Sequence, residues 1–189
     1  MTISNNSFAL ARLILLLWTT GLFTGCATTA TVAREEKSNI DSTAAMEPLI
    51  GRAVNILDGD TFDIVVRSES HRIRLAGIDC PEKHQAFGNQ AKERLSQLIF
   101  GKLITVTWEK RDRYDRILGK VILNGSDVNL RLIQDGLAWF FRKHAHELPD
   151  LDRKEFDHAE QLARNAKIGL WFDRDPIPPW EFRRKKKRG

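Results

Sequence analysis

The chain of 189 residues has the length of one domain with short extensions, and its 42% hydrophobic and 29% charged residues are typical of a soluble globular protein. This composition excludes a collagen-like, low-complexity or polytopic membrane protein, and two cysteines are too few for a disulfide scaffold. The formal net charge is +5, but six positive charges lie at 183–188, and without them the chain falls to −1. The basic character therefore belongs to a C-terminal tail, 182–189, and not to the body of the chain.

The N-terminal segment 1–25 resembles a bacterial signal peptide of the lipoprotein type. Only Arg12 is charged before the apolar run at 13–18, which is too short to span a bilayer as a permanent helix. The segment ends in Leu22-Phe23-Thr24-Gly25, directly before Cys26, with Phe23 in place of the usual branched aliphatic residue. The resemblance implies lipidation of Cys26 and an exported, membrane-anchored lipoprotein on the periplasmic or cell-surface side. Cleavage near Ala27–Ala30 is the alternative, and would give a periplasmic or secreted protein.

Residues 26–47 are rich in Thr, Ala and Ser and predict a flexible tether before a domain at 48–181. Strand-like segments lie at 53–57, 62–66, 73–75, 103–108 and 117–123. Apolar residues at helical spacing predict helices at 91–99, 128–134 and 151–167. Strands and helices do not alternate, so we expect an α+β fold, a small five-stranded barrel with three helices. The three prolines at 176–179 predict no regular structure near the end of the chain.

Three polar clusters are the candidates for chemistry. The first, Asp58-Gly59-Asp60-Thr61, is a tight turn with two carboxylates, and alone it predicts an ordinary hairpin. The second holds Arg74, Asp79 and Glu82 around a proline-stiffened turn, and would present a cation and two carboxylates to one cleft. The third, 113–116, lies between two predicted strands, and alone it predicts a charged loop.

Together and in this order, the clusters resemble the staphylococcal nuclease family. The motifs are Asp-Gly-Asp-Thr, then Arg-x4-Asp-x-Pro-Glu, then Asp-Arg-Tyr-x-Arg, and the resemblance runs from about Val54 to Trp171. It implies an OB-type barrel of five strands with three helices. Asp115 stands where the family often has glycine, and Cys80 where threonine or alanine is common.

The resemblance implies a nuclease that uses one Ca²⁺ to cut DNA and RNA with little sequence specificity. Asp60 and Asp79 would ligate the ion through their carboxylates, and Cys80 through its backbone carbonyl. Hard oxygen donors of this kind suit Ca²⁺. Glu82 would orient or deprotonate the attacking water.

Two arginines complete the catalytic set that the resemblance implies. Arg74 and Arg116 would bind the phosphate and stabilise the charge that develops on its oxygens, and Tyr114 would contact the substrate. Cleavage would leave a 3′-phosphate. The alternative is a non-catalytic nucleic-acid-binding module on the same OB fold, but such a module would leave this complete set of residues unexplained. No protein partner is implied, and we expect a monomer.

Overall fold

The computed structural model of the chain describes residues 46–187. The predicted signal peptide at 1–25, the predicted lipidation site Cys26 and most of the predicted tether lie outside the described residues. Within 46–187, no helix is both long enough and apolar enough to cross a membrane.

The barrel is built from five strands of one sheet. The strands of the described chain are β1 (Leu49–Ile56), β2 (Thr61–Val66), β3 (Glu69–Leu75), β4 (Ile78–Asp79), β5 (Leu103–Arg111), β6 (Ile117–Leu123), β7 (Ser126–Asp127) and β8 (Trp139–Phe140). Six of them form one sheet in the order β3-β2-β1-β5-β6-β7, and β4 and β8 form a second, two-stranded sheet. β3 also pairs in parallel with β6, which closes β1, β2, β3, β5 and β6 into the barrel. This closure confirms the α+β fold with a five-stranded OB-type barrel.

Alternating apolar residues fill the inside of this barrel. Phe62 and Ile64 of β2, Ile73 of β3 and Ile117 of β6 are each fully buried. Neighbouring residues along a strand point to opposite faces, so residues two apart share the inner face. Complete burial of one such side chain stabilises the fold by about 1.5–3 kcal/mol.

Within 46–187 the chain also forms four α-helices and two short 3-10 helices. They are α1 (Gly88–Ile99), α2 (Val128–Gln134), α3 (Asp150–Asn165) and α4 (Pro179–Lys186), with short 3-10 helices at Arg142–Glu147 and Gly169–Phe172. α1 buries Ala91, Leu95 and Ile99, at the spacing that predicted it. α2 begins at a side-chain cap, because the carboxylate of Asp127 accepts the N–H of Leu130 at 3.0 Å.

The helix α4 differs from the sequence-based expectation of no regular structure near the end of the chain. The three prolines precede or begin the helix and do not interrupt it. Pro179 occupies the first turn of α4, where a backbone N–H would have no hydrogen-bond partner within the helix, so its absence costs nothing. The fixed φ of proline also suits a helix. The residues assigned to a basic tail therefore begin inside a fourth α-helix.

Asn129 joins α2 to the barrel through three hydrogen bonds. Its side chain is fully buried, its Oδ1 accepts the N–H of Val121 at 3.1 Å, and its Nδ2 donates to the carbonyls of Ala76 and Gly119 at 3.0 and 3.2 Å. One amide thus satisfies three backbone groups where β6 meets the chain after β3.

The change Asn129→Ala should lower the free energy of unfolding by about 2–3 kcal/mol, because the buried N–H of Val121 and the carbonyl of Ala76 lose this partner. The carbonyl of Gly119 keeps the N–H of Ala76. Urea denaturation followed by circular dichroism measures this loss. Asn165→Ala, at an exposed position at the end of α3, serves as the matched control. Equal losses in the two variants would contradict this role of Asn129.

Candidate active site

The turn between β1 and β2 positions Asp60. The Asp58 carboxylate accepts the N–H of Asp60 at 3.0 Å, and the N–H groups of Leu57 and Asp58 both donate to the carbonyl of Thr61. Gly59 lies against Cys80 and Ala91, where an added Cβ would stand 2.7 Å from the Cβ of each residue. Only glycine allows this approach, which brings the turn onto the chain segment that follows β4.

Asp79 reaches the same place from a second small sheet. It belongs to β4, which pairs with β8 and sets Asp79 opposite Trp139. The next residue, Cys80, donates its backbone N–H to Oδ2 of Asp60 at 2.8 Å. Two carboxylates that are distant in the sequence therefore lie side by side, with Asp60 6% and Asp79 1% exposed.

Arg74, at the end of β3, pairs with both of these carboxylates. Its Nε lies 3.1 Å from Oδ1 of Asp60, and its Nη2 lies 2.9 Å from Oδ1 of Asp79. Its Nη1 donates to the carbonyls of Leu75 and Ile78 at 2.7 and 2.8 Å. These contacts hold the guanidinium in one orientation at the floor of the site.

Burial sets the protonation of this cluster. It raises the pKa of Asp60 to about 6, although the charge of Arg74 offsets part of the effect. Burial also raises the pKa of Asp79, against the opposing effect of its ion pairs. It raises the pKa of the Cys80 thiol well above its usual value, so this thiol stays protonated and is not a nucleophile.

Glu82 lies on the loop that leads into α1 and is more exposed than the two aspartates. Gln85 holds this loop, since its side-chain oxygen accepts the N–H of Glu82 at 3.1 Å and its own N–H donates to the Glu82 carbonyl at 2.8 Å. Gly88 packs so closely beneath Glu82 that an added Cβ would meet the Glu82 carbonyl oxygen. The carboxylate is thus placed at the solvent side of the site.

Arg183 of α4 enters the site, a contact that the sequence analysis missed. Its Nη2 lies 2.7 Å from Oδ2 of Asp79, and its Nη1 lies 2.6 Å from Oε1 of Glu82. Burial lowers the pKa of Arg183, but these two pairs outweigh burial and raise it above its ordinary range. The one available signal, an arginine within a basic run, does not indicate a partner about a hundred residues away.

Arg116 and Tyr114 lie on the loop between β5 and β6. Arg116 pairs with Asp112, whose carboxylate also accepts the N–H groups of Tyr114 and Arg116. Asp115 has φ 61°, the left-handed conformation that glycine adopts most easily and aspartate tolerates. The loop leads into Ile117, which pairs with β3, so it adjoins the strand that carries Arg74.

The structure thus links four predicted residues directly, Asp60, Arg74, Asp79 and the backbone of Cys80. Glu82 joins them through Arg183. Among the described residues, the hydrogen bonds and ion pairs of the Arg116 side chain are to Asp112.

The donor set fits a hard cation. Asp60 and Asp79 offer carboxylate oxygens, and the guanidinium on Asp79 and Glu82 shows that a positive charge is favoured there. Within 46–187, no three side chains of His, Cys, Asp or Glu are arranged as a metal cluster. A metal held here would therefore depend on two carboxylates, with backbone, water or substrate oxygens as its other ligands.

The change Asp60→Asn should stabilise the metal-free protein at neutral pH. Asp60 has a pKa of about 6 in the folded state and 3.8 in the unfolded state, so the folded state binds this proton more tightly. The contribution of Asp60 to the free energy of unfolding therefore falls as pH rises from about 4 to 6. We expect Asp60→Asn to raise the free energy of unfolding by about 1–3 kcal/mol near pH 7.5, and this gain should vanish below about pH 4. Urea denaturation with EDTA at both pH values measures it.

Asp175→Asn, which alters an exposed carboxyl, is the control and should change stability little at either pH. A destabilising effect of Asp60→Asn near pH 7.5 would mean that the ion pair with Arg74 outweighs the burial of the charge.

Comparison with known proteins places this geometry in a family. The model of the family described as staphylococcal nuclease homologue matches residues 72–173. An uncharacterized endonuclease of Escherichia coli is 41% identical over 139 residues, 72% of this chain and 86% of the relative. A micrococcal nuclease of Shigella flexneri is 37% identical over 157 residues, covering 78% and 88%, and a staphylococcal-like nuclease of Arabidopsis thaliana is 31% identical over 157 residues, covering 83% and 46%. The barrel, its buried carboxylates and these matches agree, and the chain belongs to the staphylococcal nuclease family.

Proposed function

We propose that this member of a nuclease family hydrolyses phosphodiester bonds of DNA and RNA with the help of Ca²⁺, with little sequence preference. The observation that carries the proposal is the contact of Arg74 with both Asp60 and Asp79 beside Glu82. Relatives named endonuclease and micrococcal nuclease support the nuclease class.

Asp60, Asp79 and the backbone carbonyl of Cys80 would hold the ion. All three donors are oxygens, which Ca²⁺ prefers. The bound ion would supply Lewis-acid polarisation of the phosphate. The burial of both carboxylates keeps competing water away from their inner oxygens.

Glu82 is the candidate general base. Its carboxylate stands at the solvent side of the site, where it can accept a proton from a water molecule. That water attacks phosphorus, the bond to the 5′ oxygen breaks, and the 5′ oxygen takes up a proton. The products are a 3′-phosphate and a 5′-hydroxyl, so water supplies both the new oxygen and the proton.

The arginines are the candidate phosphate ligands. Arg74 is held in place by its carboxylate partners, and it would stabilise charge on the phosphate oxygens. Arg116 would exchange Asp112 for the phosphate. Tyr114 is 65% exposed as a residue, and the centre of its ring lies 5.5 Å from the guanidinium carbon of Arg116, so the ring offers a surface on which a base can stack.

The changes Glu82→Gln and Arg116→Ala should each reduce cleavage of single-stranded DNA by about 10² to 10⁴-fold, because each removes a group that acts in the transition state. The assay uses the full-length chain with CaCl₂ or EGTA and identifies the product ends. EGTA should abolish cleavage, and the products should end in 3′-phosphate.

Glu93→Gln on α1 and Arg131→Ala on α2 are the matched controls, since both residues are exposed and Arg131 pairs with Asp135 as Arg116 pairs with Asp112. They should retain nearly full activity. Binding of the DNA without cleavage would favour the non-catalytic binding module. Cleavage that is insensitive to EGTA and to both active-site changes would place the reaction elsewhere.

We also propose that the chain is exported and anchored by a lipid on Cys26, on the strength of its signal-like N-terminus. Cys26→Ser should abolish labelling by radioactive palmitate in a bacterial host and move the protein from the detergent phase to the aqueous phase. Cys80→Ser, at a buried thiol, is the control and should leave the labelling unchanged. Labelling that persists in Cys26→Ser would contradict the anchor.

A further inference from the structure

Arg183 occupies the position where a cation would bind the outer carboxylate oxygens of the site. Its two terminal nitrogens bridge Asp79 and Glu82, at 2.7 Å from Oδ2 of Asp79 and 2.6 Å from Oε1 of Glu82. Nη1 also lies 3.3 Å from the other oxygen of Asp79. The guanidinium is therefore shared by the carboxylate of a proposed metal ligand and that of the proposed general base.

Packing beside the site holds α4 in this position. The indole of Trp180 lies 5.6 Å from Trp139 and 5.4 Å from the ring of Phe141. Trp139 is the residue that pairs with Asp79 across the small sheet. The helix that carries Arg183 thus packs on the same strand pair that positions Asp79.

A second contact ties the chain before α4 to the Glu82 loop. The side chain of Gln85 donates to the carbonyl of Ile177 and also accepts the N–H of Glu82. Two contacts therefore support the approach of Arg183, one from Trp180 in α4 and one from Ile177 in the segment before α4.

We propose that Arg183 is an internal cation that competes with Ca²⁺ for Asp79 and Glu82, so that metal binding requires the guanidinium to leave the site. The proposal rests on the calcium site of the proposed function and adds a regulatory role for α4.

The competition follows from charge and space. Oδ2 of Asp79 faces Arg183 at hydrogen-bonding distance, and a metal ligated by this oxygen would take the same place. Two positive groups at such a distance repel each other strongly in a partly buried site. The apparent affinity for Ca²⁺ is then the intrinsic affinity of the site multiplied by the fraction of molecules in which Arg183 has left.

The coupling must also run in the opposite direction. If Arg183 weakens calcium binding, calcium must weaken the docking of Arg183 by the same factor, because the two equilibria are linked. Trp180 lies three residues from Arg183 on α4, so its fluorescence can report this release.

The test is calorimetric titration of CaCl₂ into the metal-free, full-length chain. Arg183→Ala should bind Ca²⁺ about tenfold more tightly than the unaltered protein. Arg184→Ala removes the same charge one residue further along α4, where the side chain pairs with Glu181 at 3.6 Å, and it should leave the affinity unchanged. Arg183→Lys keeps the charge but loses the two-pronged contact, and it should give an intermediate affinity.

A second readout is tryptophan emission during the same titration. The signal of Trp180 is the difference between the unaltered protein and Trp180→Phe. Calcium should change this signal in the unaltered protein, and Arg183→Ala should show the changed signal before any calcium is added.

Equal calcium affinities in the unaltered protein, Arg183→Ala and Arg183→Lys would overturn the competition and leave the calcium site intact. An equal gain in Arg183→Ala and Arg184→Ala would also overturn it, since only the net charge would matter. Absence of calcium binding in every variant would overturn both this inference and the calcium requirement of the proposed function.

Discussion

The burial of two carboxylates around Arg74 is the constraint on which the site depends. An uncompensated buried charge costs several kcal/mol, so the turn that carries Asp60, the end of β3 and the strand β4 must all converge on one guanidinium. The backbone N–H of Cys80 adds a bond to Asp60 and joins the β1–β2 turn to β4. The arrangement is therefore a property of the barrel and the small β4–β8 sheet together, and no single loop could hold it.

One arginine does not balance the acidic groups of the site. Burial still raises the pKa of Asp60 and of Asp79, so in the absence of a further cation the ionised carboxylates oppose folding. Arg183 provides positive charge from the C-terminal helix. A bound divalent cation would serve the same electrostatic need, which is the physical basis for a competition between the two.

Most of the barrel could be predicted from local patterns. The segments 62–66 and 117–123 are rich in branched apolar residues, and both are strands of the barrel core. The helical spacing of Ala91, Leu95 and Ile99 indicated α1, and all three residues face the core. The helix α4 was not predicted, because prolines were interpreted as breaking regular structure when Pro179 in fact begins it.

The sequence by itself determined the five strands of the barrel, the first three helices and the family, and it named the acidic residues as candidates, because short-range spacing and family motifs carry that information. The short strands β4, β7 and β8 were not predicted. Only the tertiary structure decided how the charges are paired. It showed that Arg116 pairs with Asp112 and that Arg183 reaches Asp79 and Glu82. Such a long-range ion pair has no periodicity and no fixed spacing, since it depends on how α4 packs through Trp180, and that packing exists only in the folded chain.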